Sequence, residues 1–338
     1  MTRERLQDVS EGELLSRLFP IFGDTVGPAE VLLGPGDDAA VLAAPSGGVV
    51  LTTDSMVRGR DWRDDWSSPT EIGHKVVAQN VADIAAMGAV PTGLLITLAA
   101  DPATEVAWVL ALGEGIARAA REAGAPVLGG DLSAAGEGSI VVGITAVGDL
   151  QGHRAVRRDG AEPGDVVAVR GSLGRSGGGL QLLLAGRGHT HRDPPLGETG
   201  DSLARAIEVL CRVHRRTEDV PWRAGPEAAA AGATAMIDLS DGLVRDLGRV
   251  AAASGTRIEL DGRALAAFAA GPLTLALGAE EAMRQVLSGG EEHSLAATFA
   301  PAAVPDGWEV IGVCTDGSGE VVVDGQVPPV TGWDHFSG

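Results

Sequence analysis

Positive charge is scarce in this chain: 26 Lys and Arg stand against 46 Asp and Glu, a formal net charge of −20 over 338 residues. Nucleic acids and anionic membranes reward clustered Lys and Arg, so neither suits as a partner. Lysine is scarcer still. Lys75 is the only one and it follows His74, which excludes the Gly-Lys-[Ser/Thr] of a phosphate-binding P-loop. Asp-Phe-Gly and His-Glu-x-x-His are absent too, against the protein-kinase and zinc-protease patterns. Two cysteines, Cys211 and Cys314, are too few for a metal cluster or a disulfide framework and read as reduced thiols. No apolar run approaches the ~20 residues of a membrane-spanning helix. The first residues, MTRERLQDVSEGELL, mix charges of both signs, unlike a signal or transit peptide. The expected location is the cytoplasm.

What is present is alternation. Strand-like runs and Ala-rich helical runs follow one another with Gly and Pro at the junctions, which predicts a mixed α/β (α+β) fold. At roughly 100–200 residues per domain the length predicts two domains, with a boundary near residue 150, hence 1–150 and 151–338. Expected strands are Val49–Thr53, Gly93–Ala99, Ile140–Gly148 and Asp165–Arg170. Expected helices are Pro69–Met87, Glu105–Ala123, Leu180–Ala185 and Leu243–Ala253. The stretch 186–200, with His189, His191, Pro194 and Pro195, reads as a surface loop, since two histidines without a third ligand make a poor metal site.

Aspartates recur in small, glycine-flanked motifs. Gly34-Pro35-Gly36-Asp37-Asp38-Ala39 formally fits the dinucleotide fingerprint. Two adjacent carboxylates would repel the pyrophosphate there, however, so metal ligation or a plain Asp-rich turn fits better. Thr52-Thr53-Asp54 closes an expected strand with hard oxygen donors of the kind Mg2+ prefers, though a strand-end Asp is also an ordinary turn cap. Lys75, Gln79 and Asp83 share one stripe of a helix, either solvated or turned toward a site. Gly129-Gly130-Asp131 follows the apolar pair Val127–Leu128 and repeats the Asp-after-strand pattern. In Ile237-Asp238-Leu239-Ser240-Asp241-Gly242, Ser240 or Asp241 could cap the following helix, or Asp238 could join a metal set. The loop 171–179, rich in glycine, could cradle phosphate with backbone N–H groups. If so acidic a chain binds polyphosphate through aspartates, divalent cations must lie between the two sets of negative charge.

In order, GPGDDAAV, LTTD, QNVADIAAMGAVPT, GGD, RRDGAEPGD, IDLSDGL, SGGEEHSL and the terminal GWDHF resemble the thiamine-monophosphate kinase family. That family lies within a superfamily shared with aminoimidazole ribonucleotide synthetase and selenophosphate synthetase. The resemblance runs from about Leu32 to Phe336. It implies an N-terminal α/β domain that pairs in a homodimer and a C-terminal α/β domain closing over nucleotide and substrate. The implied reaction is phosphorylation of thiamine monophosphate by ATP to thiamine diphosphate, with several Mg2+ ions. By motif, Asp38, Thr52, Thr53, Asp54, Asp83, Asp131 and Asp238 would hold the metal, with Asp241 on a further ion. Gly130, Asp131, Arg158 and Ser240 would touch ATP, and Glu291 and Trp333 the thiamine moiety. A thiazolium ring is a permanent cation, which a carboxylate and an aromatic face both favour; Trp333 would serve equally as a core anchor.

Two departures bear on the substrate. Arg58-Gly59-Arg60-Asp61-Trp62 places Asp61 and Trp62 where the family has His and Phe, and Asp61 is a further candidate contact. Gly289-Gly290-Glu291-Glu292 replaces a family Asp with Glu292. A related ATP-dependent enzyme acting on another phosphate or carboxylate, or a non-catalytic nucleotide-binding homologue, are the alternatives.

Overall fold

The computed structural model describes residues 4–23, 30–33, 41–45, 47–193, 201–217, 220–329 and 332. The chain divides into two units, Met1–Ile84 with Val90–Gly152, and Ala85–Ala89 with His153–Gly338.

The first unit runs α1 (Glu11–Phe22), β1 (Val31–Leu33), β2 (Val41–Leu42), β3 (Val49–Val57), α2 (Pro69–Ala86), β4 (Val90–Ala100), α3 (Val106–Ala123), β5 (Val127–Ala134) and β6 (Ile140–Asp149). Strands β1 and β2 pair with each other, and the remaining four form a sheet in the order β3-β6-β4-β5. Only β4 and β5 are parallel. Burial alternates along β6 from Ile140 to Gly148, as a strand with one covered face requires. Met56, Leu94, Leu98, Val142, Ile144 and Ala146 make the covered face. The opposite face leaves Val49, Leu51, Val57 and Leu95 between 38% and 63% exposed. Glycine lets α2 and α3 cross closely: a Cβ on Gly115 would lie 2.1 Å from the Thr70 carbonyl oxygen, and one on Gly73 2.3 Å from that of Leu112. α3 ends on Gly124 in the left-handed region (φ 68°), as C-terminal caps commonly do.

The second unit continues with β7 (Val166–Arg170), α4 (Arg175–Leu184), α5 (Ser202–Arg216), α6 (Ala224–Ala230), β8 (Ala235–Leu239), α7 (Leu243–Ser254), β9 (Thr256–Leu260), α8 (Gly262–Ala269), α9 (Pro272–Leu277), α10 (Ala279–Ser288), β10 (Ser294–Phe299), β11 (Glu309–Asp316) and β12 (Val321–Val323). Its six strands lie in the order β12-β9-β11-β7-β10-β8. Every residue of β8 and β10 is buried. Their core gathers Met236, Leu295, Ala297, Phe299 and Trp308 with Ala85 and Ala86 from the last turn of α2, the two rings meeting edge to face at 5.4 Å.

Three elements differ from the sequence expectation. β3 runs on through Asp54 to Val57, paired residue for residue with β6. β5 runs through Gly129-Gly130-Asp131 to Ala134 because its parallel ladder with β4 continues to Ala100. Asp54 and Asp131 therefore lie inside strands, not beyond them. α4 begins at Arg175, so Gly177, Gly178 and Gly179 are helical. A Cβ on Gly179 would come within 2.1 Å of the Leu210 carbonyl oxygen on α5; these glycines serve helix packing, not a phosphate cradle.

Candidate active site

In the first unit, β3 and α2 bring two of the expected oxygen donors together. The Thr52 hydroxyl donates to Asp83 Oδ2 at 2.7 Å, joining two motifs separated by 31 residues. The Asn80 side-chain oxygen accepts from the Asp54 backbone N–H at 2.9 Å, while its amide donates to the Val76 carbonyl at 2.8 Å. Asn80 is fully buried and so fixes this stretch of β3 against α2. Lys75 and Gln79 are also buried, at 2% and 9% exposure, so their stripe is not a solvated one. Thr53 hydrogen-bonds the Ile144 carbonyl at 3.0 Å and faces the Thr145 hydroxyl at 3.2 Å. On β5, the Ser133 hydroxyl donates to Asp131 Oδ2 at 2.9 Å. Gly130 has a steric reason of its own, since a Cβ there would stand 1.9 Å from the Ile96 carbonyl oxygen on β4.

In the second unit, three loops meet at the ends of β7, β8 and β10. Asp238, 4% exposed at the end of β8, lies 3.2 Å from His293 Nδ1. Neither Ser240 nor Asp241 caps α7 with its side chain. Asp246, fully buried in the first turn of α7, accepts from the backbone N–H groups of Asp241 and Gly242 at 2.9 and 3.1 Å. Burial pushes the Asp246 carboxyl up to about 7, opposed by the N–H bond from Asp241 and assisted by the charges of Asp238 and Asp241. Arg249 bridges Asp246 and Asp241, and Arg245 lies 3.9 Å from Asp241.

Three consecutive side chains after Gly290 reach three different elements. Glu291, at φ 57°, hydrogen-bonds its N–H to the Ser240 carbonyl at 2.7 Å and places its carboxylate 3.3 Å from His214 on α5. Glu292 turns inward, accepting from the Ser172 hydroxyl at 2.5 Å and the Ser176 N–H at 2.8 Å. It thereby fills the N-terminus of α4, where a phosphate was expected, with the chain's own carboxylate. Burial raises the Glu292 pKa, and these hydrogen bonds oppose the shift. His293, at φ 53°, turns to Asp238. Positive φ at two non-glycine residues is uncommon, and here it lets a short loop divide its side chains among α5, α4 and β8.

Of the remaining expected residues, Arg158 is exposed, its carbonyl held by the Ser254 hydroxyl at 2.9 Å. Asp61 accepts from the Val57 N–H at 2.6 Å, and Trp62 is buried, stacked on Trp108 at 6.5 Å. Asp38 and Trp333 lie outside the described residues. The described residues group no three His, Cys, Asp or Glu side chains into a cluster able to hold an ion. The donor set still suits Mg2+, because Thr52, Asp83 and Asp54 offer hydroxyl and carboxylate oxygens without nitrogen or sulfur.

Two short patterns are resolved by geometry. His191-Arg192-Asp193 spells the catalytic-loop triplet of protein kinases, yet Asp193 accepts from the Thr190 N–H and hydroxyl at 2.7 and 3.0 Å and is a surface turn. Gly174-Arg175-Ser176-Gly177-Gly178 has the spacing of a serine-hydrolase elbow. Ser176 is fully buried, and it meets the same His214 nitrogen as Glu291 does, so no proton relay exists. Asn80, His214 and Asp246 escape sequence reading because each acts on a residue distant in the chain or on backbone, which leaves no local signature.

Family models of AIR synthase related protein match the chain, the N-terminal domain over 36–150 and the C-terminal domain over 162–325. Thiamine-monophosphate kinase of Mycobacterium tuberculosis is 43% identical over 314 residues, spanning 91% of this chain and 87% of its own length. The crystal structure of thiamine-monophosphate kinase from Stenotrophomonas maltophilia superposes with a TM-score of 0.77 at 29% identity, over 95% of this chain and 98% of its own. AaThiL complexed with AMPPCP and TMP superposes with a TM-score of 0.72 at 28% identity, over 99% and 100%. With ordered motifs, two matched domains and relatives alike over nearly its whole length, this chain belongs to the thiamine-monophosphate kinase family.

Proposed function

We propose that this chain transfers the terminal phosphoryl group of ATP directly, in line, to the phosphate of thiamine monophosphate, giving thiamine diphosphate. The observation that carries the reading is the likeness to a thiamine-monophosphate kinase over 91% of the chain; the related AaThiL, complexed with AMPPCP and TMP, supports the substrate pair. The acceptor phosphate is largely ionised near neutral pH and needs little general-base help. The problem is to align two anions and offset their repulsion. Bound Mg2+ would supply that neutralisation between the phosphates.

In this reading Asp38, Thr52, Thr53, Asp54, Asp83, Asp131 and Asp238 hold the metal ions, with Asp241 on a further ion. Gly130, Asp131, Arg158 and Ser240 contact ATP, while Glu291 and Trp333 contact the thiamine moiety. The pairing of Thr52 with Asp83 supports the first set. Asp61 joins the last set through the carboxylate oxygen that does not accept from Val57 N–H. The exposed apolar face of the first unit's sheet supports a homodimer formed through that unit. No described helix is long and apolar enough to cross a membrane, and we place the reaction in the cytoplasm, with its ATP.

The test is to incubate purified protein with ATP, Mg2+ and thiamine monophosphate, with free thiamine and aminoimidazole precursors as comparators. Thiamine diphosphate should form from the monophosphate alone. No product above background would overturn the reading.

A further inference from the structure

Glu291 stands on a loop residue in the left-handed region (φ 57°), with its side chain 34% exposed. A carboxylate so placed has several rotamers open to it unless something packed holds it. That something is on α5. His214 is 5% exposed, and its Nδ1 lies 3.3 Å from Glu291 Oε2 and 3.2 Å from Ser176 Oγ. A carboxylate only accepts, so the close approach of Glu291 favours the proton on Nδ1, the tautomer in which the Ser176 oxygen shares that N–H as a second acceptor. Ser176 in turn is fully buried in the first turn of α4, its N–H on Glu292. The carboxylate is thus referenced, through one buried imidazole, to the rigid pair α4 and α5, which Gly179 brings into backbone contact.

We propose that His214 is a positioning residue for the thiamine site: it aims the Glu291 carboxylate at the substrate's cationic ring. The inference rests on the reading of Glu291 as a thiamine contact. His214 itself touches neither substrate nor metal in this account. Its effect must therefore pass through Glu291, and it must appear in the use of thiamine monophosphate and not of ATP. Losing a hydrogen bond to a charged group corresponds to about tenfold.

The experiment is a double-mutant cycle on KM and kcat for both substrates, using the full chain, with thermal unfolding of each variant alongside. Glu291→Gln should raise KM for thiamine monophosphate about tenfold. His214→Ala should raise the same KM by about five- to tenfold and leave KM for ATP unchanged. His214→Asn, whose amide nitrogen can take the place of Nδ1, should restore most of the loss. Combined with Glu291→Gln, His214→Ala should add little, because the carboxylate it aims is gone. An unchanged KM in Glu291→Gln would overturn the underlying reading of Glu291. A raised KM there, with His214→Ala unchanged, additive, or equally damaging to ATP use, would overturn the proposal for His214 alone. If His214→Ala fails to fold, His214→Gln replaces it in the cycle. Gln cannot reach with a donor at the Nδ1 position and should behave as Ala does; wild-type KM in that variant would likewise overturn the proposal.

Discussion

Glu292 shows how far a single residue can depart from what its neighbours in sequence suggest. It sits in a Gly-Gly-Glu-Glu run beside Glu291, the proposed substrate contact, yet its carboxylate is buried and bonded to Ser172 and Ser176. Its raised pKa has a definite consequence for stability. The native state binds more protons than the unfolded state from the ordinary value of 4.5 up to the raised one, so stability falls as pH rises through that window. Glu292→Gln, whose amide still accepts from Ser176 N–H and can donate to the Ser172 hydroxyl, should lose this slope. Urea midpoints measured upward from pH 4.5 should favour the variant increasingly with pH; parallel curves would refute the assignment. For the proposed metal donors, Asp54→Asn and Asp131→Asn should each lower kcat by about 100-fold or more with unfolding midpoints close to wild type. Near-wild-type turnover in either would remove that residue from the metal site. The pairing of Thr52 with Asp83 was legible only as two polar motifs of the right type, since sequence shows the donors but not that β3 and α2 bring these two together. Asn80 was not, since its work is done on the backbone of Asp54, 26 residues away.

At the scale of elements, glycine hid the extent of two elements for one reason. Gly130 read in sequence as lying just past a strand and Gly177–Gly179 as a loop able to cradle phosphate, whereas the structure sets them inside a strand and a helix where backbones nearly touch. A missing Cβ gives the same letter in both cases. Gly179→Ala, with its Cβ 2.1 Å from the Leu210 carbonyl, should cost about 1–3 kcal/mol by forcing α4 and α5 apart. Gly124→Ala would strain a left-handed cap (φ 68°) but meets no neighbour within 4 Å; it should cost about 1 kcal/mol. Denaturant unfolding separates the two, and equal losses would contradict the packing argument. Helices α2, α3 and α7 were legible within a residue or two because their apolar periodicity is unbroken. β3 and β5 were underestimated because polar and glycine residues continue a ladder that only the partner strand reveals.

For the molecule as a whole, alternation of strands and helices was enough to indicate a mixed fold, but not the pairing order β3-β6-β4-β5 or the six-stranded sheet of the second unit. Nor could it show that one face of the first sheet is left bare. Leu51, 63% exposed there, tests the proposed dimer. Leu51→Asp should shift sedimentation from dimer to monomer, with a cost to the unit's own stability under about 0.5 kcal/mol; an unchanged mass would place the dimer contact elsewhere. Above these details stands the direct transfer between two phosphates. Labelling the terminal phosphate of ATP tests that most directly, by following the label in a single turnover with excess enzyme, Mg2+ and thiamine monophosphate. The account predicts that the label leaves ATP and appears in thiamine diphosphate at the same rate, one for one with ADP. Label released only as inorganic phosphate, with thiamine monophosphate unchanged, would contradict it.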